Sequence, residues 1–116
     1  MKVSVHVVDS VYSAPAADLK VQLYRQDMDA NWVKLARGRT SESGVLEIWP
    51  GGPLDPATYQ LRFDLDGYYA ALGSLTFYPR AIVEFRVTDS YANLRLPLLI
   101  SPASYFTYQE RQPLDE

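Results

Sequence analysis

The chain offers one histidine, His6, and no cysteine among its 116 residues. Imidazole titrates near working pH, so His6 is the first candidate for a general base or acid. A thiolate nucleophile, a cysteine-built zinc site and a two-histidine relay within one chain are all excluded. The carboxylates show no spacing typical of a magnesium or calcium loop. Gly51-Gly52 stands between Pro50 and Pro53 with no following Lys-Ser/Thr, which makes it a turn rather than a phosphate cradle. No cofactor and no metal are expected.

Strands must position these groups, because the dominant apolar period is two. Val3, Val5 and Val7 alternate with Ser4, His6 and Val8, which turns His6 away from the core. The same alternation runs through Leu19–Tyr24, Tyr59–Leu65 and Ala81–Thr88. Weaker strands fit Trp32–Ala36, Val45–Trp49, Leu94–Ser101 and Tyr105–Tyr108, with turn residues such as Ser43-Gly44, Asp55-Pro56 and Asp66-Gly67 between them. Within 66–73, Ala70-Ala71-Leu72 ending in Gly73 predicts one or two turns of helix. Seven or eight short strands at this spacing predict an all-β antiparallel sandwich.

Strand 94–101 is apolar on both faces. Leu94, Leu96, Leu98 and Ile100 claim the core, leaving Arg95, Pro97 and Leu99 outward, and Tyr105, Phe106 and Tyr108 enlarge that surface. An outward sheet face this apolar predicts cover by another subunit.

Length and composition agree with one domain over 1–116, with a loose tail at 112–116. Hydrophobic residues at 47% and charged residues at 22% are a globular balance. A net charge of −3, without any Lys/Arg run, argues against nucleic acid. Apolar stretches are too short for a signal core or a membrane span, so the expectation is a cytoplasmic protein with no membrane partner.

In order and spacing, a set of short motifs resembles the transthyretin-like proteins, and within them the bacterial 5-hydroxyisourate hydrolases. They are Ser4-Val5-His6-Val7-Val8-Asp9, Ala14-Pro15 to Val21, Thr40 to Gly44 before Trp49-Pro50, Thr58-Tyr59 through Phe63, Gly67 to Ala70 and Phe77-Tyr78-Pro79. The most specific is the last, Leu96-Pro97-Leu98-Leu99-Ile100-Ser101-Pro102 followed by Tyr105-Phe106-Thr107-Tyr108. The resemblance implies an eight-stranded transthyretin-like sandwich with one short helix. It also implies a homotetramer, a dimer of dimers whose central channel holds a small-molecule ligand.

The family's hydrolases open the ring of 5-hydroxyisourate with water and no metal. Of the four working elements the resemblance implies, His6 alone is kept. Val45 stands after Gly44 where the family has an arginine, and Arg95 stands in place of a second histidine. Tyr108-Gln109-Glu110-Arg111 replaces a Tyr-Arg-Gly-Ser terminus. His6 and Arg95 are thus the expected catalytic pair, with Val45, Leu99, Tyr108, Gln109 and Glu110 against the ligand. Three functions stay open. They are an enzyme diverged toward another small cyclic, anionic or enolisable metabolite, a 5-hydroxyisourate hydrolase with a rebuilt site, and a non-catalytic ligand carrier. The replacements favour the first.

Overall fold

The structure, a computed structural model, describes residues 2–88 and 92–113. Alternating apolar residues become strands whose inward side chains meet between two sheets. One sheet is built on β1 (Val3–Asp9) and β8 (Ala92–Ser101), which run parallel along the whole of β1. On its other edge β1 pairs with β2 (Ala14–Pro15) and β5 (Val45–Trp49), while β8 pairs with β9 (Ser104–Thr107) and β10 (Glu110–Pro113). The second sheet has the order β4 (Trp32–Arg39), β3 (Lys20–Gln26), β6 (Ala57–Asp64), β7 (Arg80–Val87), antiparallel throughout.

The eight expected strands are present together with β2 and β10. The helix ends at Ala70 with a turn over 71–73 where helix was expected to run on to Gly73, and three further details differ. The β1–β8 ladder is parallel, so the first sheet is mixed. Alternation along a strand carries no information about its neighbour's direction. Gln112 and Pro113, expected in a loose tail, are paired with Asn93 and Ala92, because the far edge of β8 leaves backbone groups for the chain end to satisfy. Residues 114–116 lie outside the described residues. Tyr105, expected on the outer face, is instead half-buried against the core, since it pairs with the inward Ile100. Its ring meets Tyr78 edge-on at 5.5 Å.

Val3, Val5, Val7, Leu98 and Ile100 line the core from one sheet, and Leu23, Leu61 and Phe63 from the other; all are essentially inaccessible to solvent. Helix α1 (Leu65–Ala70) follows β6 directly, and the Asp64 carboxylate caps it by accepting the Gly67 N–H at 3.0 Å. It also presents Tyr68 and Tyr69 to the end of β1.

Asp9 there is a fully buried carboxylate. Its Oδ2 accepts the Tyr68 hydroxyl and its Oδ1 the Val11 N–H, both at 2.9 Å. Burial and then the Asp9 contact push the Tyr68 phenol up to about 12. Burial, with the Asp9 charge second, raises Tyr69 as well. Burial likewise raises Tyr59, whose hydroxyl donates to the Asp55 carbonyl at 2.6 Å.

Two expectations follow. Asp9→Ala strands the Tyr68 hydroxyl and the Val11 N–H and should cost about 1–3 kcal/mol, whereas Asp9→Asn, which keeps an acceptor, should cost less. Urea unfolding at one fixed protein concentration measures both. The fold also favours neutral phenols. Unfolded tyrosines lose their protons near pH 10, so stability should hold below that value and fall from about pH 10 to about pH 12. Tyr68→Phe should flatten part of that fall, read as the urea midpoint against pH.

Candidate functional site

The outer face of the β1 sheet is arranged in rows across its strands. In one row β5, β1, β8 and β10 contribute Glu47, Ser4, Arg95 and Glu110. The next contains Val45, His6 and Pro97, and a third Val8, Leu99 and Phe106. His6 and Arg95 are therefore diagonal neighbours on adjacent strands. That separation lets long side chains meet. Both are exposed.

A groove of about 310 Å³ follows the first two rows, lined by His6, Val45, Glu47, Arg95, Pro97 and Glu110, with Ser4, Lys2 and Asn93 at its end. It brings together His6, Arg95, Val45 and Glu110 of the residues singled out by sequence. Leu99, Tyr108 and Gln109 do not line it. Leu99 belongs to the third row and is 41% exposed beside Phe106 at 61%. Tyr108 lies 6.1 Å from the Phe106 ring, and it and Gln109 connect β9 to β10.

Sequence reasoning passed over Glu47, Ser4 and Lys2. Glu47 shares Val45's outward parity two residues on, and that signal alone would have placed it here. Its carboxylate and that of Glu110 balance Lys2 and Arg95, so the groove displays both charges around one imidazole. Glu110 stands opposite Arg95 in the ladder, but among the described residues the ion pairs are Arg25–Asp55 and Arg39–Asp18, both at 3.3 Å.

Val45 is held opposite His6 by the tight turn before β5. The Ser41 hydroxyl accepts the Val45 N–H at 3.3 Å, and the Gly44 carbonyl accepts the Val7 N–H at 2.8 Å. Gly44 has φ +77°, and a Cβ there would collide with the Val7 carbonyl, so glycine is required for the turn to lie against β1. The buried Thr40 anchors the turn's start: its hydroxyl donates to the Ala16 carbonyl at 2.6 Å and accepts the Leu19 N–H at 2.9 Å. The backbone that positions the residue after Gly44 is fully built. What it positions is an isopropyl group.

Comparison with known proteins agrees with this geometry. Residues 3–110 match the family described as HIUase/Transthyretin family. A 5-hydroxyisourate hydrolase of Mus musculus is 35% identical over 109 residues, covering 90% of each chain. One of Salmonella dublin is 32% identical over 107 residues, 91% of this chain and 78% of that protein. A probable 5-hydroxyisourate hydrolase of Caenorhabditis elegans is 32% identical over 108 residues, 92% of this chain and 79% of that one. The crystal structure of transthyretin from Sparus aurata superposes with a TM-score of 0.87 at 26% identity, covering 95% of this chain and 97% of that one. No helix among the described residues is long and apolar enough to cross a membrane. On this combination of sequence, fold and coverage, the chain belongs to the HIUase/transthyretin family.

Proposed function

We propose that this chain is a diverged member of its family that binds and chemically alters a small cyclic metabolite, anionic or enolisable, in the His6–Arg95 groove. The observation that carries the reading is the placement of the chain's one imidazole on an open sheet face, one strand from a permanent cation. Neutral His6 can accept a proton from water or from an acidic ring position. Arg95 can donate to the oxygen on which negative charge collects. Glu47 and Glu110 supply acceptors for ring N–H groups, which suits a lactam or urea-like ring better than a polyanion. With Val45 where the family's arginine is expected, and Arg95 where its second histidine is, the donors for 5-hydroxyisourate are rearranged. Each preorganised group lost from such a site costs about a hundredfold or more in rate.

A second reading, hydrolysis of 5-hydroxyisourate itself, draws support from the names of the relatives at 32% to 35% identity. The ultraviolet decay of freshly made 5-hydroxyisourate separates the two. Little acceleration is expected, and a rate close to that of a family hydrolase would sink the diverged reading. Val45→Arg with Arg95→His should recover activity only in combination, since groups acting as one unit are strongly non-additive. Urate serves as an anionic ring probe in calorimetry. Arg95→Ala should weaken its binding about tenfold or more, while His6→Ala should leave it nearly unchanged. Equal weakening by both substitutions would remove the division of roles.

The groove opens outward in a single chain, and we infer that other copies close it. Val45, Leu99, Phe106 and Tyr108 are all large apolar side chains exposed on or beside this face. Self-association into a homotetramer would bury them. Sedimentation at micromolar concentration should show about four times the 13.1 kDa chain mass. Leu99→Glu should dissociate the assembly, because an unpaired buried charge costs several kcal/mol. A clean monomer for the unsubstituted protein would end this inference.

A further inference from the structure

The second sheet carries an unusual concentration of charge on its outer face. Outward positions hold Arg37 and Arg39 on β4, Lys20 on β3, Arg62 on β6, and Arg80 and Arg86 on β7, with Lys34 beyond Tyr24. These are seven of the chain's eleven basic residues, against two of its fourteen acids, Asp64 and Glu84. A mildly acidic protein thus has one strongly basic face, opposite in the sandwich to the His6 groove.

Folding alone does not ask for this arrangement. Lys20 and Arg39 are directly opposed across the β3–β4 ladder, and Arg37 and Arg62 flank Gln22 from both sides. Like charges directly opposed, as Lys20 and Arg39 are, destabilise a sheet. Only Arg39 of the seven has a carboxylate partner among the described residues, Asp18 at 3.3 Å. Asp64 faces Arg80 across the β6–β7 ladder, and Lys20, Arg62 and Arg80 line a groove of about 400 Å³ together with Gln22 and Asp64.

We propose that this face docks a protein partner presenting a predominantly acidic surface. Five of the seven cations are arginines, whose planar forks match carboxylates. The two acids within the patch decide against a polyphosphate backbone, which carries no cation to meet them, whereas a folded acidic surface brings scattered lysines. Base stacking has no free platform either: the Arg62 guanidinium lies 3.7 Å from the centre of the Tyr24 ring. A membrane surface would need apolar wedges beside the cations, and Ile82 is the one large apolar residue exposed at these outward positions. Complementary charge of this kind steers association and weakens steeply with salt.

The test uses a fluorescent peptide of about ten residues, mostly glutamate with interspersed lysine, as the acidic probe, read by anisotropy at low and physiological ionic strength. The unsubstituted protein should bind at low salt and lose about tenfold or more in affinity at physiological salt. Arg37→Glu with Arg80→Glu should abolish binding, and Lys20→Glu with Arg86→Glu should do the same from other strands. All four positions are exposed, so an unchanged melting curve checks that each variant is folded. His6→Ala, on the opposite sheet, should bind like the unsubstituted protein. Absent binding, or equal binding by folded charge-reversed variants, overturns the proposal. Tighter capture of an oligouridylate of equal charge, or of phosphatidylserine vesicles, overturns it in favour of nucleic acid or membrane.

Discussion

Strand β1 is the constraint on which the rest of the molecule depends. It is paired on both edges, parallel to β8 on one and antiparallel to β2 and β5 on the other. Its inward valines are fully buried, so a shift of one residue would turn all of them to solvent and bring His6 into the core. Removing apolar area of this size from water stabilises by roughly 25 cal/mol per Å², which no polar contact on the outer face can offset. The register that places Val45 and Pro97 beside His6 is therefore set by valines on the other side of the strand. The site is specified by a core that it does not touch.

The same coupling explains the polar network at the end of β1. Asp9 continues the inward parity of Val3, Val5 and Val7, so a carboxylate arrives where a hydrophobic residue would ordinarily stand. Helix α1 answers it with the Tyr68 hydroxyl, and the turn after β1 with the Val11 N–H. A buried charge must be hydrogen-bonded to be tolerated. Satisfying Asp9 therefore fastens helix α1 to the central strand of the opposite sheet. At the same end of β1, Thr40 and Gly44 secure the turn before β5, the Gly44 carbonyl accepting the Val7 N–H. Together they fix the end of β1 just beyond His6, which suits a binding face on rigid elements.

The two outer faces of the sandwich have different physical characters. One combines an imidazole groove of balanced charge with exposed apolar side chains at Leu99 and Phe106. The other is dominated by arginine and lysine. Charge segregated in this way would let the ligand and the partner proposed for the two faces bind without obstructing each other. Its modest net charge conceals that capacity.

Period-two alternation was legible residue by residue. It determined that the protein is an all-β sandwich, that Val3, Val5 and Val7 face in, and that His6 and Arg95 face out, because burial acts on each side chain through local strand geometry alone. The ordered motifs around Pro97 and Tyr108 carried the family as well. Which strands lie side by side was not legible, since pairing depends on contacts between residues far apart in the chain. Tertiary structure alone decided that β1 and β8 run parallel, that Glu47 joins the groove, and that Tyr105 turns inward. It alone gathered seven scattered cations, which never form a run in sequence, onto one face. A strand's alternation decides which way each side chain points; only the packing of whole sheets decides what it meets there.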